Sequence, residues 1–185
     1  MDVLVDLTPL DTTSRLRGIG HYVAYLGAAL AALSDSERQG LTLAGLTDLH
    51  GSHALGPLTW PGSPEPRYPE VDQMRYIWRR RTHLPVTLRR LHPRLFHATQ
   101  NLGTPRLTGA ARVLTCHDVI RLVLHEQYLG STSRAYLEAY RLNEVARYAT
   151  ARRVIAVSQF TADDLMKVLA VPASRIDVVH HGVDT

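Results

Sequence analysis

The sequence predicts an α/β fold built on a doubly wound, mostly parallel sheet. Two observations carry that expectation. Short apolar runs alternate with stretches of helical periodicity from one end of the chain to the other, the pattern of βα units stacked into one sheet. Most of the apolar runs also end in polar residues, as strands do when a ligand site lies beyond their carboxyl ends.

The elements follow in order. Residues 3–7, Val-Leu-Val-Asp-Leu, read as a buried strand. After a polar loop, Ile19, Tyr22, Val23, Leu26, Leu30 and Leu33 recur at i, i+3, i+4, i+7, i+11 and i+14, an amphipathic helix. Residues 41–46 form a second strand, closed by Thr47 and Asp48. Residues 50–69 carry five prolines (57, 61, 64, 66 and 69), a density that predicts a long loop without regular structure. Val71, Met74, Ile77 and Trp78 then start a helix that Pro85 should break or kink. Residues 94–97 and 113–116 are short strands. Residues 131–149 form a helix with a stripe of small residues (Ala135, Ala139, Ala146, Ala149, with Leu142) suited to packing on a sheet. Leu137, Tyr140, Glu144 and Tyr148 line its other face. A strand over 154–157 leads through Ser158 or Thr161 as cap into a helix stopped by Pro172. Residues 176–179 give the last strand.

Composition bounds the class. A chain of 185 residues that is 45% hydrophobic and 21% charged is a single globular domain over residues 1–185, large enough to bury a core without metal or disulfide. The lone Cys116 fits a reducing compartment. No apolar run spans a bilayer, and the opening Met1–Asp6 carries acid where a signal peptide carries base. The expectation is a cytoplasmic chain. Net charge is +4, and seven arginines without an acid lie between Arg75 and Arg94. Removing that +7 from +4 leaves −3 for the rest, so the basic character belongs to one segment.

That segment admits three readings. Arg75, Arg79 and Arg80 fall outside the stripe of Val71, Met74, Ile77 and Trp78. They can face an anionic acceptor or membrane surface, with peripheral contact at the inner face of the membrane. They can also be a solvated helix face above a core stripe. Nucleic acid is the weakest reading, because no aromatic–basic interleaving supports it.

Two motifs bear on chemistry. Arg17-Gly18-Ile19-Gly20-His21 stands where the first loop becomes a helix, and Gly18 and Gly20 would let backbone N–H groups approach an anion. A dinucleotide fingerprint fits poorly, since Val23 holds the third glycine position and the pair lies well past the first strand. Asp48 nonetheless ends the second strand, where a ribose-binding acid would sit. The plain alternative is a glycine pair that only enters a helix. Cys116-His117-Asp118 follows directly on a strand; the histidine can donate to a sugar hydroxyl or phosphate, with the acid orienting it. Alternatively, loop backbone satisfies His117 and Asp118 caps a turn. No metal is expected, since zinc-ligand spacing is lacking and His50 and His53 sit in the proline loop. Hydrolase-elbow and P-loop patterns are also missing.

Taken together, four segments resemble retaining GT-B glycosyltransferases of the large family 4. They are residues 6–10 with 17–22; residues 96–103; residues 114–118; and residues 153–161 with 171–172 and 176–184. The segments occur in order along almost the whole chain. His21 stands where the family commonly has Arg, and His181 where it commonly has Asn. The resemblance implies a Rossmann-like domain that is one half of a GT-B architecture, the acceptor side. The nucleotide-sugar domain, with its basic residues and paired glutamates, is not in this sequence. It further implies transfer of a sugar from a nucleotide-sugar co-substrate, with no other cofactor, to the hydroxyl of a glycan or lipid-linked glycan. His117 would be catalytic, with Gly18, Gly20, Asn101, Asp118 and Ser158 as donor or acceptor contacts, and the isolated chain would be inactive. The rival class is a non-enzymatic Rossmann-like module that binds an anionic ligand or a partner chain.

Overall fold

A computed structural model describes residues 1–48, 54–59, 73–106, 109–129 and 133–182. Among these residues seven strands form one sheet: β1 Val3–Asp6, β2 Leu43–Thr47, β3 Ala54–Gly56, β4 Leu95–Ala98, β5 Ala111–Cys116, β6 Arg153–Ala156 and β7 Ile176–Val178. Their order is β3-β2-β1-β4-β5-β6-β7. Every pairing is parallel except β2 with β3. The helices are α1 Gly18–Ala32, α2 Gln73–Leu91, the short α3 Ile120–Val123 and α4 His125–Leu129, α5 Arg134–Ala149 and α6 Gln159–Leu169. The expected doubly wound, Rossmann-like sheet is therefore present. The chain winds outward from β1 to β3, then α2 carries it back so that β4 pairs with the other side of β1. Strand order reverses between β1 and β4, where open α/β sheets place ligands.

Alternation along the strands sorts the core into two layers. Leu4, Phe96, Ala98, Leu114, Cys116, Val154 and Ala156 are buried together with Leu84 and Leu88 of α2, Tyr148 of α5 and Leu165 of α6. On the opposite face, Val5 and Leu7 pack with Val23 of α1 and Leu58, and Ile19, Tyr22, Leu26 and Leu30 close over them. The predicted α1 stripe is thus the packing face. Ser158 caps α6, its hydroxyl accepting from Thr161 N at 3.1 Å. Ala170, in the left-handed conformation at φ 53°, ends that helix two residues before Pro172, as a C-terminal turn ahead of proline does.

Three expectations are corrected, and of the two outcomes expected at Pro85 a break is excluded. The proline-rich stretch is not wholly irregular: Ala54–Gly56 pairs antiparallel with β2 as an edge strand, where the ladder tolerates a neighbouring proline. Positions 60–72 and His50 and His53 lie outside the described residues. Pro85 does not break α2. Its missing N–H leaves one carbonyl of the preceding turn without a helical donor, while Leu84 and Leu88 on either side are fully buried.

The inward stripe of α2 is Tyr76, Arg80, Leu84 and Leu88, at i, i+4, i+8 and i+12, and Trp78 stands 58% exposed. Val71 and the Met74 side chain lie outside what is described. Finally, the small-residue stripe of α5 faces outward, with Leu142 59% exposed and Glu144, Arg147 and Tyr148 buried instead. Tyr148 joins the core against the sheet, and Glu144 and Arg147 neutralise one another while bonding Asn101 and the Thr104 carbonyl between β4 and β5.

Candidate functional site at the carboxyl edge of the sheet

The strand ends converge on one edge. β1 gives way to two 3₁₀ turns, Thr8–Asp11 and Thr13–Leu16, which lead into α1. β4 runs into Thr99-Gln100-Asn101, β5 into His117-Asp118, β6 into Val157-Ser158, and β7 into Val179-His180-His181. Parallel strands bring these loops together although they are far apart in sequence.

Beneath that edge lies a buried ionic network at the switch point. Asp6 and Arg80 are both fully buried. Arg80 Nη2 donates to Asp6 Oδ2 at 2.5 Å and Nη1 to Oδ1 at 3.2 Å, while Nε donates to the Leu102 carbonyl at 3.1 Å. Thr8 accepts from Arg80 Nη1 and donates to Asp6 Oδ1 at 2.7 Å. Tyr76 OH shares a bond with Thr8 at 3.0 Å and accepts from Gln100 Nε2 at 2.7 Å. Burial alone would raise the Asp6 carboxyl, but the Arg80 charge and its hydrogen bonds outweigh burial and hold the pKa below the usual range. Burial likewise opposes the charge on Arg80, and Asp6 reverses that, so its pKa rises. Both groups stay ionised because each supplies the other's counter-charge.

From this base a chain of hydrogen bonds climbs to His117. Thr99 Oγ1 donates to the Asp6 carbonyl at 2.6 Å, and the Thr99 carbonyl lies 2.9 Å from His117 Nε2. A carbonyl only accepts, so Nε2 carries the proton and Nδ1 keeps its lone pair. Burial lowers the His117 pKa; the bond to Thr99 opposes this and the neighbouring His181 adds to it. The ring is therefore neutral near pH 7, a fixed donor on one side and an acceptor on the other.

Two aromatic rings flank it. Tyr22, in the first turns of α1, meets His117 edge-on at 4.9 Å and stacks on His181 at 4.9 Å and 24°. The two histidine rings are 5.7 Å apart. Tyr22 OH is tied down by Thr115 Oγ1 at 3.1 Å, and Thr115 also meets His97 Nε2 at 2.9 Å. The result is a fixed wall of aromatic and imidazole faces at the strand ends, a surface that stacks flat, partly apolar ligands and bonds their hydroxyls.

The other expected residues divide. Gly18 opens α1 with nothing within 4 Å of where a Cβ would stand, so the helix N-terminus is accessible there. A Cβ on Gly20 would lie 2.2 Å from Arg15 Cα and 2.4 Å from the Ser14 carbonyl. Its missing side chain admits the second 3₁₀ turn and leaves no room for a ligand. Asp118 Oδ1 accepts from Ile120 N at 3.1 Å, the turn-capping alternative. Ser158 is a helix cap, and its partner Thr161 sits 3.4 Å from the His117 carbonyl, so α6 starts beside the site. Asn101 turns away and donates to Glu144 Oε2 of α5 at 3.1 Å.

Of the basic trio only Arg75 is exposed. Arg80 is the buried partner of Asp6, and Arg79 pairs with Asp48 at 3.1 Å, their side chains 13% and 1% exposed. The reading of all three as a surface is corrected: two acids at strand ends, Asp6 and Asp48, draw two of the arginines inward. Asp48, weighed as a ribose-binding acid, is engaged by that pair. Sequence reasoning passed over Asp6, His97, Thr99 and Thr115 as site-building residues. The legible signal was an acid closing an apolar strand, since a carboxylate buried there needs a counter-charge.

Among the described residues, no cluster of three His, Cys, Asp or Glu side chains is placed to hold a metal ion. None of the described helices is long and apolar enough to cross a membrane. A search of curated proteins finds no match. The model of one protein family, Glycosyltransferase Family 4, matches residues 16–185. That match takes in α1, the switch-point crossover and every strand end that builds the wall around His117, and the chain belongs to Glycosyltransferase Family 4.

Proposed function

We propose that this domain is the acceptor-side half of a retaining glycosyltransferase, moving a sugar from a nucleotide-sugar donor to a hydroxyl of a glycan or lipid-linked glycan. The observation that carries the reading is the Tyr22–His117–His181 wall. His117 is locked by the Thr99 carbonyl with Nδ1 left as an acceptor. A sugar stacked on such a wall offers its hydroxyl to that nitrogen, and a neutral imidazole then bonds the donor sugar beside the reacting carbon. The open N-terminus of α1 at Gly18 favours a diphosphate through its free N–H groups and its dipole. Gly20 serves the packing of that helix. Asp118, Ser158 and Asn101 keep their loops in place through bonds already made, and act on ligands at most through remaining lone pairs.

In this reading the nucleotide-sugar sits mainly on a second domain joined to this one, the isolated chain turns over nothing, and no metal takes part. The protein works in the cytoplasm, with the outer face of α2, where Arg75 and Trp78 are exposed, against an anionic membrane surface that presents the acceptor.

The test is His117→Ala in the two-domain enzyme. Losing one such contact in the transition state lowers turnover by roughly 100- to 1,000-fold, more than it weakens donor binding, with the melting temperature little changed. A variant that keeps more than about a third of wild-type turnover while losing stability would assign His117 to loop structure alone. A two-domain protein with no transfer to any sugar acceptor would favour the non-enzymatic binding module.

A further inference from the structure

The crossover from β4 to β5 must run from one edge of the sheet to the other, because the strands are parallel neighbours. No helix forms among its described residues; Gly103 at φ 67° and Pro105 keep it irregular. α2 and α5 flank it, and between them lies a cleft of about 460 Å³. Arg81 and Arg89 line it from α2, Arg106 from the crossover, and Asn143 and Arg147 from α5. It shares no residue with the wall around His117.

The cleft's charge is unbalanced. Among the described residues, four arginines and no acid line it. Arg147 is buried against Glu144. Arg81, Arg89 and Arg106 are exposed and make no ion pair among the described residues. Arg81 and Arg89 are eight residues apart on one helix face, about 12 Å along the axis at 1.5 Å per residue. Arg106 donates to Asn143 Oδ1 at 2.6 Å, which leaves the rest of its guanidinium fork directed by a fixed partner. Like charges lining one cleft repel each other in the free protein, and planar forks match phosphate oxygens two at a time. The volume is in the range of small-ligand sites.

We infer that this cleft binds a phosphate-bearing anion, supplied either by a soluble phosphorylated molecule or by a lipid headgroup. It is a second anionic site on the helical face, separate from the carboxyl edge of the sheet.

Calorimetry with sodium pyrophosphate at about 0.15 M salt, where long-range attraction is screened, reads the soluble arm. Sedimentation with phosphatidylglycerol–phosphatidylcholine vesicles, against phosphatidylcholine alone, reads the lipid arm. The pair Arg81→Gln/Arg89→Gln should weaken binding at least about tenfold in whichever arm the wild type binds. The pair Arg134→Gln/Arg152→Gln, equal in charge and outside the cleft, should leave it within about twofold. Pyrophosphate binding without vesicle binding assigns a soluble ligand, and the reverse assigns a headgroup. No binding in either arm, or equal loss in the control pair, overturns the proposal. Should the Gln pair fail to fold, Arg81→Lys/Arg89→Lys replaces it. The lysines keep the charge but lack the fork, so weakened binding supports the site and unchanged affinity overturns it.

Discussion

Replacing Arg80 with Met separates the two ways of reading the basic segment. A solvated arginine contributes within about 0.5 kcal/mol when removed. In the structure, Arg80 is fully buried and satisfies Asp6, the Leu102 carbonyl, Thr8 and Thr104. Its loss strands the Asp6 carboxylate, which keeps only its Thr8 donors, and leaves the part-buried Leu102 carbonyl without its donor. Breaking one side of a buried pair costs about 3–5 kcal/mol, a large part of a total stability of about 5–15 kcal/mol. For a chain this long the melting temperature should fall by about 10 °C. The assay is urea unfolding of wild type, Arg80→Met, Asp6→Asn and the double variant. The double variant should be more stable than Arg80→Met, with a coupling of about 2 kcal/mol.

Proton linkage sharpens the test. In the wild type the Asp6 pKa is depressed from 3.8, so its contribution is complete above that value and is lost as pH falls below it. In Arg80→Met the unpaired, buried carboxyl should instead titrate above its ordinary value. That variant's deficit should therefore be worst at neutral pH and shrink on acidification. A deficit under about 1 kcal/mol, or one that is flat with pH, would refute the reasoning.

Two further predictions test the rest of the site. Burial lowers the His97 pKa from 6.5 to about 4, so the unfolded chain binds more protons between those values and stability should rise with pH across that window, by up to about 3 kcal/mol; urea midpoints at several pH values should show the slope, and His97→Asn should flatten it. Gly20→Ala forces a Cβ into the backbone of Arg15 and should cost about 1–3 kcal/mol in thermal unfolding, whereas Gly18→Ala, in open space, should change stability by less than about 0.5 kcal/mol.

Patterns that repeat along the chain were legible from it. The α1 stripe, the strand alternation and the ends of α6 rest on local periodicity and capping, which a single sequence displays. Where the reading failed, the deciding interaction was long-range. Arg80 looked like a solvent-facing residue because its neighbours are also arginines, and its partner Asp6 is 74 residues away. The α5 face was misjudged because Ala135 and Ala139 imitate a packing stripe, while the inward face is made of Tyr148, which joins the apolar core, and of Glu144 and Arg147, buried as an ion pair. His117 was found by its place after a strand. Tyr22 and His181 were quoted for the resemblance, and only the fold brings them against it.

The ionic network and the wall at the strand ends form one construction. A sheet whose strand order reverses leaves a gap between the loops after β1 and β4, and something must fix those loops if a ligand is to meet a constant surface. Apolar packing alone would hold them through many equivalent arrangements. The Asp6–Arg80 pair defines one, since the guanidinium has specified acceptors on both sides of the gap: Asp6 at the end of β1 and Thr8 just after it, Leu102 and Thr104 after β4. Thr99 then transmits that register, bonding the Asp6 carbonyl with its hydroxyl and receiving His117 with its own carbonyl. A lesion at Arg80 mild enough to leave the chain folded should accordingly loosen the orientation of His117, so that turnover in the two-domain enzyme proposed above falls further than stability alone would predict.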